Sequence, residues 1–411
     1  MKADIDKPTK APEDRGEMVA MMEPLLVSED SRFRSRLTDL ALDLAQKAAG
    51  FRRSLPPGLL ASLADLVRAM NCYYSNLIEG HDTHPVDIER ALKKDYTADA
   101  RQRDLQIEAQ AHIAAQRWID SGGLKGRAVT IDAIGEIHRR FGELLPEGLL
   151  WVEDPVTQER VRVVPGEWRK RDVMAGGHIA VSPGAVPRFM QRFEEVYGSL
   201  GKTDSILNAA ASHHRLVWIH PFSDGNGRVA RLMSHALLLD TLDTGAVWSV
   251  ARGLARNLEG YKRHLAACDR TRRNDLDGRG NLSDEALAEF AGFFLRICID
   301  QVTFMEGLMQ PERLRARILT WAEEEMRMGA LPARSGYVLD VVLYRGELPR
   351  GEAVDAVGTG ARQARRVVSA LVDRGVLASD SSRAPIRLAF PVALAARWMP
   401  GLFPEGAGTV G

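Results

Sequence analysis

His220-Pro221-Phe222-Ser223-Asp224-Gly225-Asn226-Gly227-Arg228-Val229-Ala230-Arg231 lies between two apolar runs. Ala209, Ala210, Leu216, Val217 and Ile219 precede it. Val229, Leu232, Met233, Leu237 and Leu238 follow at helical spacing. The stretch therefore reads as a helix–loop–helix joint whose second helix starts near Gly227. A helix N-terminus presents N–H groups without intrahelical partners and the positive end of a dipole, which favours an anion. Gly225 and Gly227 allow positive φ and close backbone approach. Arg228 and Arg231, three apart, share one side of the helix and can each fork onto phosphate oxygens. Asp224 is a hard oxygen ligand suited to a magnesium ion that keeps some of its waters. His220 can take a proton near neutral pH. A phosphate cradle, a metal ligand and a base together indicate phosphate-group or nucleotide chemistry. Phe222 reads as an apolar anchor for the loop. His213 and His214 have no accompanying ligand residues and read as packing histidines.

The remaining composition bounds the setting. The chain has 411 residues, 45% of them hydrophobic, enough for two or three domains. Lys plus Arg and Asp plus Glu each number 55, so no global charge invites nucleic acid or a membrane. The cysteines Cys72, Cys268 and Cys298 are few and scattered, which fits a reducing compartment without a disulfide framework. The opening MKADIDKPTKAPEDRG is polar, and no run of about 18 apolar residues occurs. A soluble, cytoplasmic protein is expected.

Helical spacing dominates the rest. Residues 1–16 are expected to be a disordered tail and 400–411 a loose one. Helices are expected within 30–70, over Asp104–Ser121, Thr130–Leu144, Pro187–Tyr197 and Asn281–Val302. Arg171–Val173 and His178–Val181 flank Ala175-Gly176-Gly177, which fits a β-hairpin with a glycine turn. From Pro311, helical segments at Glu312–Met328, Ser335–Tyr344 and Ala361–Arg374 lead to strand-like Gly375–Leu377 and Ile386–Phe390. This order resembles a winged helix-turn-helix over residues 311–395. From Arg350 to Arg387 there are seven arginines against four acids, with Arg362, Arg365 and Arg366 on the third helix. DNA contact and a protein–protein role both remain open for that face.

The block at 220–231 also resembles the signature of the Fic family, His-x-Phe-x-Asp/Glu-Gly-Asn-Gly-Arg-x-x-Arg, with every fixed position filled. The resemblance spans roughly residues 70–300. It implies a mainly α fold: a Fic-type helical bundle with a small hairpin flap, over an N-terminal helical region (17–125) and a catalytic core (126–305). It implies ATP with Mg2+ and transfer of AMP to a Ser, Thr or Tyr hydroxyl of a target protein. His220 would be the base and Asp224 the magnesium ligand. Gly225, Asn226, Gly227 and Arg228 would hold the α- and β-phosphates, with Val229 and Ala230 in the same bound stretch. Arg231 would hold the γ-phosphate. Asn257 and Tyr261 would line the adenine and ribose pocket, and the glycine-turn hairpin would clamp the target by strand addition.

Ser75-Asn76-Leu77-Ile78-Glu79-Gly80 resembles the family's inhibitory motif. Ser75 and Glu79 are four apart on one helix face, and Gly80 is a helix stop. The resemblance implies that Glu79 takes the fork of Arg231 that the γ-phosphate needs. Two alternatives remain: a DNA-binding regulator with a nucleotide-sensing Fic domain, and an enzyme that removes AMP, with Glu79 positioning a water. A further copy of the chain is admitted as a partner.

Overall fold

Apolar residues three and four apart place most of this chain in helices, and the computed structural model describes residues 11–81, 83–153 and 158–404. The first helices are α1 (Arg34–Ser54), α2 (Pro57–Ile78), α3 (Pro85–Leu92), α4 (Ala100–Trp118) and α5 (Ile131–Gly142). Two short hairpins follow: β1 (Trp151–Glu153) with β2 (Arg160–Arg162), and β3 (Met174–Ala175) with β4 (His178–Ile179), both antiparallel. Next come α6 (Val186–Tyr197), α7 (Lys202–Leu207), α8 (Ala209–Ile219), α9 (Asn226–Thr241), α10 (Val250–Arg256), α11 (Leu258–Cys268) and α12 (Asp284–Leu308). The last stretch holds α13 (Pro311–Arg327), α14 (Ser335–Arg345), β5 (Glu347–Leu348), α15 (Ala353–Val357), α16 (Ala361–Asp373), β6 (Leu377–Ala378), β7 (Ile386–Leu388) and α17 (Ala395–Trp398).

The chain divides into two compact units. The first comprises Met1–Leu42, Ala114–Thr241 and Arg256–Arg296. Here α9 packs on α5, α7 and α8, and α6 packs on α8. The pattern in α6 explains its place: Val186, Phe189, Met190, Phe193 and Tyr197 recur at helical spacing and all are buried. Thr130 caps α5, its Oγ1 accepting from the N–H of Ala133 at 3.2 Å. Residues 11–16 depart from the expected loose tail, because their charges are paired. Arg15 forks onto Asp172 at 2.7 and 3.0 Å, Asp14 binds Arg188, and the neighbouring Glu17 accepts from the Ser182 hydroxyl at 2.6 Å. Residues 1–10 lie outside the described residues.

The second unit comprises Asp43–Ile113, Leu242–Ala255 and Ile297–Gly411. In it α14 packs on α13, α15 and α16 beside a three-stranded antiparallel sheet of order β5-β7-β6. Its apolar centre is Leu339, Val342, Leu348, Val367, Leu371, Ile386 and Leu388. Strand β5 has only two residues, too few for an alternation to be read from sequence. Residues 400–404 also differ from the loose end expected. Leu402 is fully buried and its carbonyl accepts from the Tyr74 hydroxyl at 2.9 Å, while 405–411 fall outside the described residues. Among the described residues no helix is long and apolar enough to cross a membrane.

Candidate functional site

Helix α8 ends where His220 adopts a left-handed conformation, φ 52° and ψ 60°, its N–H closing on the Leu216 carbonyl at 3.1 Å. A β-carbon makes that conformation unfavourable by roughly 1–2 kcal/mol, so neighbouring contacts must hold it. The side-chain Nδ1 lies 3.0 Å from the Val217 carbonyl. A carbonyl only accepts, so Nδ1 carries the hydrogen and the neutral ring keeps its lone pair on Nε2. Burial holds the imidazole below its ordinary pKa, against the bond to Val217. The neutral ring therefore dominates at pH 7, as a proton acceptor requires.

After the turn the loop is closed by one side chain. The Asn226 amide accepts from the Phe222 N–H at 3.0 Å and donates to the Phe222 carbonyl at 2.9 Å. Asn226 can therefore offer an anion its backbone N–H, while its side chain is used by the loop. Gly225 sits at φ +79°, which glycine adopts without strain. Helix α9 then starts at Asn226, one residue before the expected position. Arg228 and Arg231 are largely buried, and the Arg228 guanidinium lies 5.4 Å from the Phe141 ring centre. Asp224 is exposed on the loop. Val229 and Ala230 face the core, so only their backbone can serve a ligand.

Tyr261 is placed by an internal bond. It is buried, and its hydroxyl lies 2.7 Å from Nε2 of His213. The Ser234 hydroxyl donates to the Ala230 carbonyl at 2.8 Å, so its oxygen accepts from His213 Nδ1 at 2.9 Å. Nε2 of His213 thus accepts from Tyr261, and this relay ties together α11, α8 and α9. Burial lowers the His213 pKa to about 3, which keeps the ring neutral. His214 is likewise satisfied, 2.9 Å from Asp269. Asn257 lies exposed just before α11. In the second unit, Ser75 is buried in α2, Glu79 is exposed at its C-terminus, and Gly80 follows at φ +84°.

The hairpin β3–β4 turns at Gly176-Gly177, pairing Met174 with Ile179 and Ala175 with His178. Its first strand begins at Met174 rather than Arg171. Met174 and Ile179 are 57% and 68% exposed. His178 stacks on Trp218 with ring centres 4.6 Å apart, beside the end of α8.

Sequence reasoning missed His138. It sits on α5, stacks on Phe222 with centres 3.8 Å apart and planes 5° off parallel, and accepts from the Gly166 N–H at Nδ1 (2.8 Å). Its other nitrogen faces the loop at Gly225. Burial lowers its pKa to about 4, so it acts as a neutral clamp on the loop. Its place among Ile134, Ile137 and Phe141 on the apolar face of α5 was the available signal. His138→Ala removes the stack and the bond from Gly166. It is expected to lower stability by roughly 1–3 kcal/mol, read as a lower Tm. An unchanged Tm would show that the clamp is dispensable.

Residues 128–238 match the Fic/DOC family. That part of the chain is similar to a Fic domain. The matched span contains α5, both hairpins, α6 to α8, the loop and most of α9. Over 223 residues the chain is 30% identical to the protein adenylyltransferase Fic of Drosophila erecta, covering 52% of this chain and 42% of that one. Over 169 residues it is 32% identical to the Drosophila willistoni protein of the same name, covering 41% and 31%. The chain thus spans less than half the length of these relatives. A Fic family protein from Desulfovibrio desulfuricans G20 shares the fold, with a TM-score of 0.51 at 16% identity over 89% of this chain and 98% of that one.

Proposed function

We propose that the Fic domain of this chain transfers AMP from ATP to a Ser, Thr or Tyr hydroxyl of a target protein. The observation that carries this reading is the neutral His220, with its lone pair on Nε2, beside the N-terminus of α9. The name shared by the Drosophila relatives supports it. Nε2 of His220 takes the hydroxyl proton as the oxygen attacks the α-phosphorus. The bond from that phosphorus to the bridging oxygen breaks and pyrophosphate leaves. Backbone N–H groups of the first turn of α9 and the Arg228 fork receive the α- and β-phosphates, and Arg231 the γ-phosphate.

Magnesium fits a site of this kind. Asp224 is a single exposed carboxylate, and among the described residues no group of three or more His, Cys, Asp or Glu side chains gathers to hold a metal. Magnesium binds readily through one or two carboxylates together with phosphate oxygens and water. The ion would neutralise charge on the phosphates. Glu79 would restrain the reaction by competing for Arg231, a reading that rests on the motif at 75–80. The three cysteines are buried and unbonded to one another, in keeping with a cytoplasmic setting. The test is the full chain with labelled ATP and cell lysate, followed by mass spectrometry of labelled peptides. Peptides carrying AMP on a hydroxyl support the reading. Their absence for both wild type and Glu79→Gly would sink it.

A second reading concerns the C-terminal segment, whose α14, α15, α16 and sheet β5-β7-β6 support a winged-helix assignment. Arg362, Arg365 and Arg366 are exposed on α16, and among the described residues none of the three has an ion-pair partner. Free guanidinium groups on one helix suit a phosphate backbone. Duplex DNA is expected to be retarded in a gel shift at low salt. Replacing all three arginines by Ala should abolish the shift and leave AMP transfer unchanged. No retardation of wild type at low salt would reject DNA and leave a protein-facing module.

A further inference from the structure

Arg169 is 2% exposed and lies in the irregular stretch between β2 and β3, yet no step of AMP transfer uses it. Its side chain is a hub for backbone carbonyls. Nε donates to the His220 carbonyl at 2.7 Å, and Nη2 reaches the Ile219 carbonyl at 3.4 Å. Nη1 donates to the Arg171 carbonyl at 2.9 Å, and Nη2 to the Val181 carbonyl. The Arg169 N–H adds a bond to the Pro221 carbonyl at 2.9 Å. Arg171 and Val181 stand just outside the two flap strands, Met174–Ala175 and His178–Ile179. Both feet of the flap and the left-handed turn at His220 therefore meet on one guanidinium. We propose that Arg169 is a positioning residue that fixes the target-docking flap in register with the base.

The chemistry favours arginine at this point. A planar fork with five N–H donors can serve four carbonyls lying in different directions, whereas an ammonium is a compact charge with three donors. Among the described residues no carboxylate is hydrogen-bonded to the group; carbonyl dipoles meet its donors, and the Asp172 and Glu17 carboxylates favour its charge from further off. Burial lowers its pKa to about 10, and it remains a cation at neutral pH. A hub in this position does two jobs. It satisfies the carbonyl of His220, whose unfavourable conformation needs holding. It also makes the spacing between flap and base a property of one rigid group. A target segment added to the flap edge then presents its hydroxyl at a set distance from Nε2. The N-terminal segment braces the same feet, since Arg15 binds Asp172 and Glu17 binds Ser182.

This inference rests on the AMP-transfer reading, and its test has one arm that does not. Arg169→Met keeps much of the apolar stem and removes every donor; Arg169→Lys keeps the charge without the fork and serves if the Met variant fails to fold. In the first arm, hydrogen exchange of the full chain is followed by mass spectrometry. Exchange should rise together in 171–181 and in 217–222, while α6 and α16 stay at wild-type protection. A rise in only one segment, or in neither, overturns the proposal whether or not the protein transfers AMP. In the second arm, KM for a protein target should rise about tenfold with ATP affinity unchanged. Arg169→Lys should recover Tm more fully than it recovers KM. Loss of ATP affinity in step with KM and Tm would mean that Arg169 only supports the fold, and would overturn the positioning role. Failure of both wild type and Glu79→Gly to label any target would remove the AMP-transfer reading, and the exchange arm would still decide the coupling.

Discussion

His220→Ala is expected to lower AMP transfer by roughly 100- to 10,000-fold, the range of a positioned general base. ATP affinity should stay near that of wild type, because the phosphates are received by α9 and its arginines. The two quantities separate the roles: labelled-AMP incorporation reads the base, and nucleotide titration reads the cradle. The variant loses the Nδ1 bond to Val217, while the contacts of Phe222, Asn226 and His138 that hold the loop remain in place. A native rate of labelling would refute the base assignment. Wild type should show a pH profile consistent with it. The His220 pKa is depressed by burial, so the ring is unprotonated through neutral pH and the rate is lost only as pH falls below the usual histidine value.

Glu79→Gly is expected to raise AMP transfer by roughly ten- to a hundredfold, seen most readily as self-modification. The estimate follows from a charge-assisted hydrogen bond of about 1.5–3 kcal/mol that would no longer compete with the γ-phosphate. Glu79→Gly combined with Arg231→Ala should lose the gain, because the released arginine is what the triphosphate needs. Wild type, both single variants and the double variant are compared at one magnesium concentration. An unchanged or lower rate in folded Glu79→Gly would count against autoinhibition. It would favour the alternative in which Glu79 positions a water for removal of AMP.

The loop at 220–231 was legible because its geometry is local. A helix stop, two glycines and a helix start follow in sequence, and the chain itself brings His220, Asp224 and Arg228 together. The long helices were legible through their spacing; α6 needed only its five apolar residues. What escaped was contact over distance. His138 and Gly166 are 28 residues apart, and Arg169 and His220 are 51 apart. Neither side chain differs in sequence from an ordinary helical histidine or surface arginine. Side-chain direction escaped as well. The Tyr261 hydroxyl turns to His213 and the Asn226 amide turns back to Phe222, because buried donors and acceptors find partners inside the fold. Strands of two or three residues carry too little alternation to be placed, so the flap began three residues later than expected.

The amide of Asn226 closes residues 222–226 into a ring of bonds in which the anion-facing backbone is already set. Shaping that loop is thus completed when the protein folds, and little of its conformational entropy is left for a nucleotide to remove. Attempts to tighten nucleotide binding by stiffening this segment would gain little. Tighter binding would have to come from added contacts, and a slack loop would be the route to weaker binding.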